Sequence, residues 1–183
     1  MKYTEGYWLQ SETANAQYAA QAFVVQALPD RLRVVAPLRK IASRGDTLNV
    51  GTITTDFYSV NENAIGVHSW HYEGYNSKQP EFEKTLDAQP VDITVTEDEA
   101  VMRAGKLTVR VDRKNFGYRC EAGGRVRTSC GFRNLGYMQQ NRQPSTMLPR
   151  ENYLISDYTP YMATELSLSV GECVYGLGER FTA

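Results

Sequence analysis

Between Val91 and Cys130 the chain is cut into short runs by turn-forming residues, and this pattern constrains the fold more than any other. The runs Val91–Thr96, Ala100–Ala104, Leu107–Asp112, Gly117–Glu121 and Arg125–Cys130 favour β-branched and aromatic residues. Between them lie Glu97-Asp98, Gly105-Lys106, Arg113-Lys-Asn115 and Ala122-Gly-Gly124, each short enough for a hairpin. Strands joined in this way form an antiparallel meander, and a meander of this kind points to a sandwich. No stretch of ten or more residues holds a convincing helical apolar period.

Upstream, Gln21–Gln26 and Leu32–Ala36 flank Pro29-Asp30, which is sound turn chemistry, and predict a hairpin. Gly45-Asp46 marks the next break. Thr52–Tyr58 and Ala64–Tyr72 come next as two strands around Asn61-Glu-Asn63. Residues Glu73 to Gln89 are polar and weakly patterned, so a long surface loop is expected there. Met138–Arg150, with its Gln, Asn and Pro residues, reads as a second loop. Tyr161–Val170 alternates again. The expectation is one mostly-β domain across residues 1–183, an antiparallel β-sandwich.

Composition excludes several function classes. The chain has 183 residues, long enough for one real core and too short for two ordinary domains. Its net charge is −1, which gives no support for a nucleic-acid partner. The basic run Arg125–Arg133 is interleaved with Thr128, Ser129, Cys130 and Gly131 and reads as the solvated face of a strand. No run approaches the ~18 apolar residues of a membrane span, and residues 1–6 hold no apolar signal core. Three cysteines fit a reduced compartment better than a disulfide framework, so the cytoplasm is the expected location.

The candidate chemistry is sparse. His68 and His71 are the only histidines, and on a strand a spacing of three sends them to opposite faces, where they cannot share a metal. A tight hairpin at Gly123-Gly124 pairs Cys120 with about Val126, leaving Cys130 out of disulfide reach. Cys173 has no histidine base beside it in the sequence. Gly171–Gly178 is not a phosphate-binding glycine loop. Trp70, Tyr72 and Tyr75, beside the long polar loop, are candidates for stacking on a sugar ring, although alternate aromatics on a strand commonly serve as packing. No catalytic set, metal site or cofactor emerges.

The last stretch is the most specific. Val174-Tyr-Gly-Leu-Gly-Glu-Arg-Phe181 resembles a signature of glycoside hydrolase family 31, near the end of that family's N-terminal domain. Met1-Lys2 with Gly6 and Trp8, Gly45-Asp-Thr-Leu-Asn49, Ile65-Gly-Val67 and His71-Tyr-Glu-Gly74 agree with the resemblance. The branch most resembled is the bacterial and fungal α-xylosidases. The resemblance implies a galactose mutarotase-like N-terminal β-sandwich, with further strands expected past residue 183. Catalysis by retention would rest on two aspartates of a following (β/α)₈ barrel. A barrel needs ~250 residues, so neither aspartate has a counterpart here.

Only Tyr175, Gly176, Leu177, Gly178, Glu179, Arg180 and Phe181 carry over, as framework residues. Glu172 and Glu179 would stand about 23 Å apart on extended chain at ~3.3 Å per residue, far beyond the spacing of a glycosidase pair unless the glycines bend the chain sharply. The resemblance therefore implies a non-catalytic domain whose partners are the barrel of the same polypeptide and, in the intact enzyme, an α-linked oligosaccharide. A stand-alone carbohydrate-binding module, an α-glucosidase parent and a domain docking on a separate barrel chain are the alternatives.

Overall fold

The computed structural model describes residues 4–5, 9–11, 14–72, 86–141, 158–168 and 170–173. The meander is present as expected: β8 (Val91–Val95), β9 (Glu99–Ala104), β10 (Leu107–Asp112), β11 (Gly117–Ala122) and β12 (Arg125–Cys130) pair in chain order into a five-stranded antiparallel sheet. A second meander joins β4 (Val24–Ala27), β5 (Arg31–Pro37), β6 (Thr52–Asn61) and β7 (Ala64–Trp70) into a four-stranded sheet. A one-turn 3-10 helix, Arg44–Thr47, interrupts the β5–β6 connection. There Asp46 accepts from the Ser43 and Ala42 amides at 2.7 and 3.0 Å, which fixes the turn.

The two sheets face each other. From the four-stranded sheet Leu32, Val34, Ala36, Ile53 and Phe57 point inward; from the other come Ala100, Met102, Val109, Val111, Tyr118 and Cys130. These positions alternate along each strand, as period-two pleating requires. Phe57 meets Tyr118 edge to face, with ring centres 5.1 Å apart. Burying each such large side chain stabilises by about 1.5–3 kcal/mol.

A third sheet, in order β14-β13-β3, was only partly expected. It contains β3 (Ala14–Tyr18), β13 (Leu135–Asn141) and β14 (Tyr158–Thr164). Met138–Asn141 is therefore strand and not the start of a loop, because β13 lies between two partners that satisfy its backbone on both sides. The remainder of that expected loop, most of the Glu73–Gln89 loop and the Tyr175–Phe181 signature lie outside the described residues. β1 (Thr4–Glu5) pairs with β2 (Leu9–Gln10). After β14 the chain reaches the far edge of the five-stranded sheet, where Ser167 bridges Ser129.

The short segment between β3 and β4 ties the three sheets together. Ala19 N donates to Leu135 O, Ala20 N to Pro37 O and Ala22 N to Arg113 O, at 3.0, 2.9 and 3.0 Å. At the opposite end, Gly105 in the β9–β10 turn has φ 54° and lies against the Glu62 backbone. A Cβ there would stand 2.7 Å from Glu62 Cα. Gly105→Ala is expected to cost about 1–3 kcal/mol, from left-handed backbone and overpacking together. Urea unfolding measures it, and an unchanged midpoint would contradict the reading.

Candidate functional site

Alternation along β4–β7 leaves one face of the four-stranded sheet pointing away from the core. Cross-strand register arranges that face in rows: Val24, Val35, Thr54 and Trp70; Gln26, Arg33, Asp56 and His68; and Arg31, Tyr58 and Gly66. At its centre Asp56 is only 3% exposed. Arg33 donates to both of its carboxylate oxygens, Nε to Oδ1 and Nη2 to Oδ2, each at 2.7 Å. Arg31 Nη1 adds a third bond at 3.2 Å while its other nitrogens hold Asp30. Burial alone would raise the Asp56 pKa, but the hydrogen bonds from Arg33 and Arg31 outweigh it and hold the carboxyl below its ordinary value.

The aromatic residues are arranged around this group. The Arg33 guanidinium lies 5.5 Å from the centre of the Trp70 ring, and the His68 ring is 4.8 Å from it on the same face. Tyr58 lies over Gly66, where a Cβ would sit 2.3 Å from the ring. Of the three sugar-stacking candidates, Trp70 is thus half-buried and engaged, Tyr72 is 74% exposed beyond the end of β7, and Tyr75 lies outside the described residues.

Sequence reading missed Asp56. The available signal was an aspartate inside the β-branched run Thr52–Tyr58, where that residue type is disfavoured, with arginines at alternate positions on the preceding strand.

The histidines part as their spacing requires. His68 is exposed on the outer face, whereas His71 Nδ1 is 2.8 Å from Thr52 O and its ring stacks on Tyr137 at 4.1 Å. Glu172 is exposed and Glu179 lies outside the described residues. Among the described residues no group of three His, Cys, Asp or Glu could hold a metal, and no helix is long and apolar enough to cross a membrane.

Open clefts occur among the described residues. One of about 440 Å³ is lined by Tyr18, Leu38, Arg39, Phe132 and Arg133, and one of about 540 Å³ by Arg110, Asp112, Arg119, Tyr118 and Cys130. Neither lining holds two carboxylates, the minimum for glycoside hydrolysis.

The cysteine register differs from expectation. A bulge between Cys120 and Glu121 sets Cys120 opposite Thr128, not near Val126, and Cys130 opposite Tyr118. All three cysteines are free. Burial raises the Cys120 pKa, and it pushes Cys130 up to about 11 against the opposing effect of a hydrogen bond with Tyr118.

A sequence model described as the glycosyl hydrolase 31 N-terminal galactose mutarotase-like domain matches residues 54–183. The chain belongs to this family. Its antiparallel sandwich is the mostly-β architecture expected of a family 31 N-terminal domain. Alpha-xylosidase XylQ of Lactiplantibacillus pentosus is 33% identical over 184 residues, covering 100% of this chain and 22% of that protein. An alpha-xylosidase of Emericella nidulans is 30% identical over 191 residues, covering 99% of this chain and 24% of its own length. The chain thus spans about a quarter of the relatives it matches.

Two measurements test the electrostatics of this family 31 domain. Asp56→Asn should lose about 2–4 kcal/mol at neutral pH, because the two guanidiniums lose the carboxylate charge and one of its two acceptor oxygens. The Asp56 pKa is depressed in the folded state, so its contribution is complete above the unfolded value of about 4 and falls away as pH drops below it. Urea melts from pH 7 downward should therefore show the gap between wild type and variant narrowing only in acid; a constant gap would exclude this role. With a thiol reagent at pH 8, exposed Cys173 should react first, half-buried Cys120 more slowly and buried Cys130 only on unfolding. Three equally fast thiols would exclude the buried assignment.

Proposed function

We propose that this chain is the non-catalytic N-terminal domain of a retaining α-xylosidase-like hydrolase of carbohydrate metabolism. In this reading residues 1–183 form one β-sandwich domain that supports the catalytic barrel and shapes the mouth of its site. The observation that carries it is the match of residues 54–183 to a family 31 N-terminal domain, joined to relatives that are named alpha-xylosidases and are about four times longer. The chemistry of the described carboxylates supports it. Asp56, Glu99 and Glu121, which lie on strands, are each tied to arginine and serve as structural anions. A xylosyl in preference to a glucosyl substrate is inferred from the names of the relatives. The free thiols suit the cytoplasm. The carbohydrate-binding alternative retains one support, the exposed ring of Tyr72.

Two experiments test this. The purified 183-residue chain should not turn over aryl α-xylosides or α-glucosides, and turnover abolished by Glu179→Gln would overturn the non-catalytic reading. The native polypeptide should have an intact mass several-fold above the 20.7 kDa of these residues. A native mass of 20.7 kDa would overturn the assignment to a larger enzyme.

A further inference from the structure

The outward faces of the two sheets differ in kind. On the five-stranded sheet the outward positions form a lattice of extended ion pairs: Arg103 with Asp92, Arg110 with Glu99 and Glu121, and Arg119 with Glu121. Arg103, Asp92 and Arg119 are 50%, 73% and 48% exposed. The margins of this lattice are open to water, while Arg110 and Glu121 at its centre are 27% and 19% exposed. The outward rows of β4–β7 hold neither lysine nor glutamate. They carry Trp70, Tyr58, Val24, Val35 and two arginines, and their one carboxylate, Asp56, is buried beneath those arginines. Trp, Tyr and Arg are enriched at the centres of protein interfaces, where Lys and Glu are depleted.

Covering such a face costs little in two respects. The Asp56 charge is already desolvated and matched, so little hydration remains to be stripped from it. Arg33 is fixed by two bonds to Asp56 and by its position over Trp70, so little side-chain freedom is left to lose. The size is suitable as well. Four strands about 4.8 Å apart and about seven residues long present roughly 400 Å² in projection, which is what one side of a modest inter-domain interface requires.

We propose that the outward face of β4–β7 is the docking surface for the polypeptide C-terminal to this domain in the longer hydrolase, with Trp70, Tyr58 and the Arg31–Asp56–Arg33 group at its centre. This rests on the assignment to a larger α-xylosidase-like enzyme. The occupant is inferred from length: about three quarters of each relative lies outside the matched region, and a domain named as N-terminal is followed in the same chain by that remaining polypeptide.

The test is hydroxyl-radical footprinting of the native full-length polypeptide beside the 183-residue chain, read at Trp70 and Tyr58, with exposed Phe132 and Met162 as references. Several-fold slower oxidation of Trp70 and Tyr58 in the longer protein, with the references unchanged, is the expected result. Equal rates in the two forms would overturn the proposal, whether fast (the face is open in both) or slow (the chain covers the face itself). Protection confined to Phe132 or Met162 would also overturn it. Any of these leaves the larger enzyme intact as an assignment, whereas a native mass of 20.7 kDa removes that assignment and the docking surface with it.

A variant at the rim supplies an independent test. Val24 is 39% exposed at the rim of the face, so Val24→Glu should leave the melting of the 183-residue chain unchanged. In the full-length protein it should split one thermal transition into two. An unsplit transition at the wild-type temperature counts against the proposal.

Discussion

The sandwich depends on a short segment whose joining residues are three alanines. Ala19 and Ala22 are 1% and 2% exposed, and the amides of Ala19, Ala20 and Ala22 reach carbonyls on three different parts of the fold. A buried backbone amide without a partner costs as much as a lost hydrogen bond, so the segment is stable only where all three acceptors are in place. That condition fixes the position of the three-stranded sheet, through Leu135, relative to the edge of β5 at Pro37 and the β10–β11 turn at Arg113. Phe116 N closes the set by donating to Ala20 O. Larger side chains at Ala19 or Ala22 would hold these backbones apart. Small residues suit this location because here main chain, not side chain, does the joining.

With the core sealed in this way, the outward face of β4–β7 can be organised by electrostatics. Asp56 lies on the side of β6 opposite Thr55 and Phe57, and its two arginines are one register row apart on β5. The carboxylate is desolvated by the groups that neutralise it, so burial and pairing arise from the same contacts. A lysine in place of Arg33 would supply charge without the planar fork that meets both oxygens, and without a flat group to lie over Trp70. The inner neighbour Thr55 is satisfied separately, by a 2.9 Å contact with the Ser69 hydroxyl. The two faces of β6 therefore carry polar groups under independent constraints.

The parts of the fold legible in the sequence are those where one strand specifies the next. Gly105-Lys106 and Gly123-Gly124 punctuate β-branched runs, and the five-stranded sheet forms from them in order. β3 and β13 were not legible, for a physical reason. Ala14–Tyr18 reads ANAQY and Leu135–Asn141 reads LGYMQQN, sequences with little β preference of their own. Each becomes a strand because the other is there: five register pairs join them, and Asn15 Nδ2 donates to Gln139 Oε1 at 3.3 Å. The bulge at Cys120/Glu121 was hidden likewise, since alternation does not reveal an inserted residue. At the candidate site, Trp70 was visible as an aromatic, but its engagement with Arg33 depends on register between β5, β6 and β7.

This contrast orders the assembly of the molecule. The two meanders bring together residues close in sequence, at small loop-closure cost, and each can gain hydrogen bonds before the sandwich exists. The β3–β13 pairing joins Ala14–Tyr18 to Gly136–Gln140 across most of the chain, and it places Tyr18 against Gly136, where a Cβ would meet the ring at 3.0 Å. The cost of closing so large a loop is recovered only when the sheets that β3 must bridge are already formed. The Ala19–Ala22 acceptors on β5, the β10–β11 turn and β13 are complete only then. The most local parts of the sequence thus build the two faces, and the least local pairing locks them together.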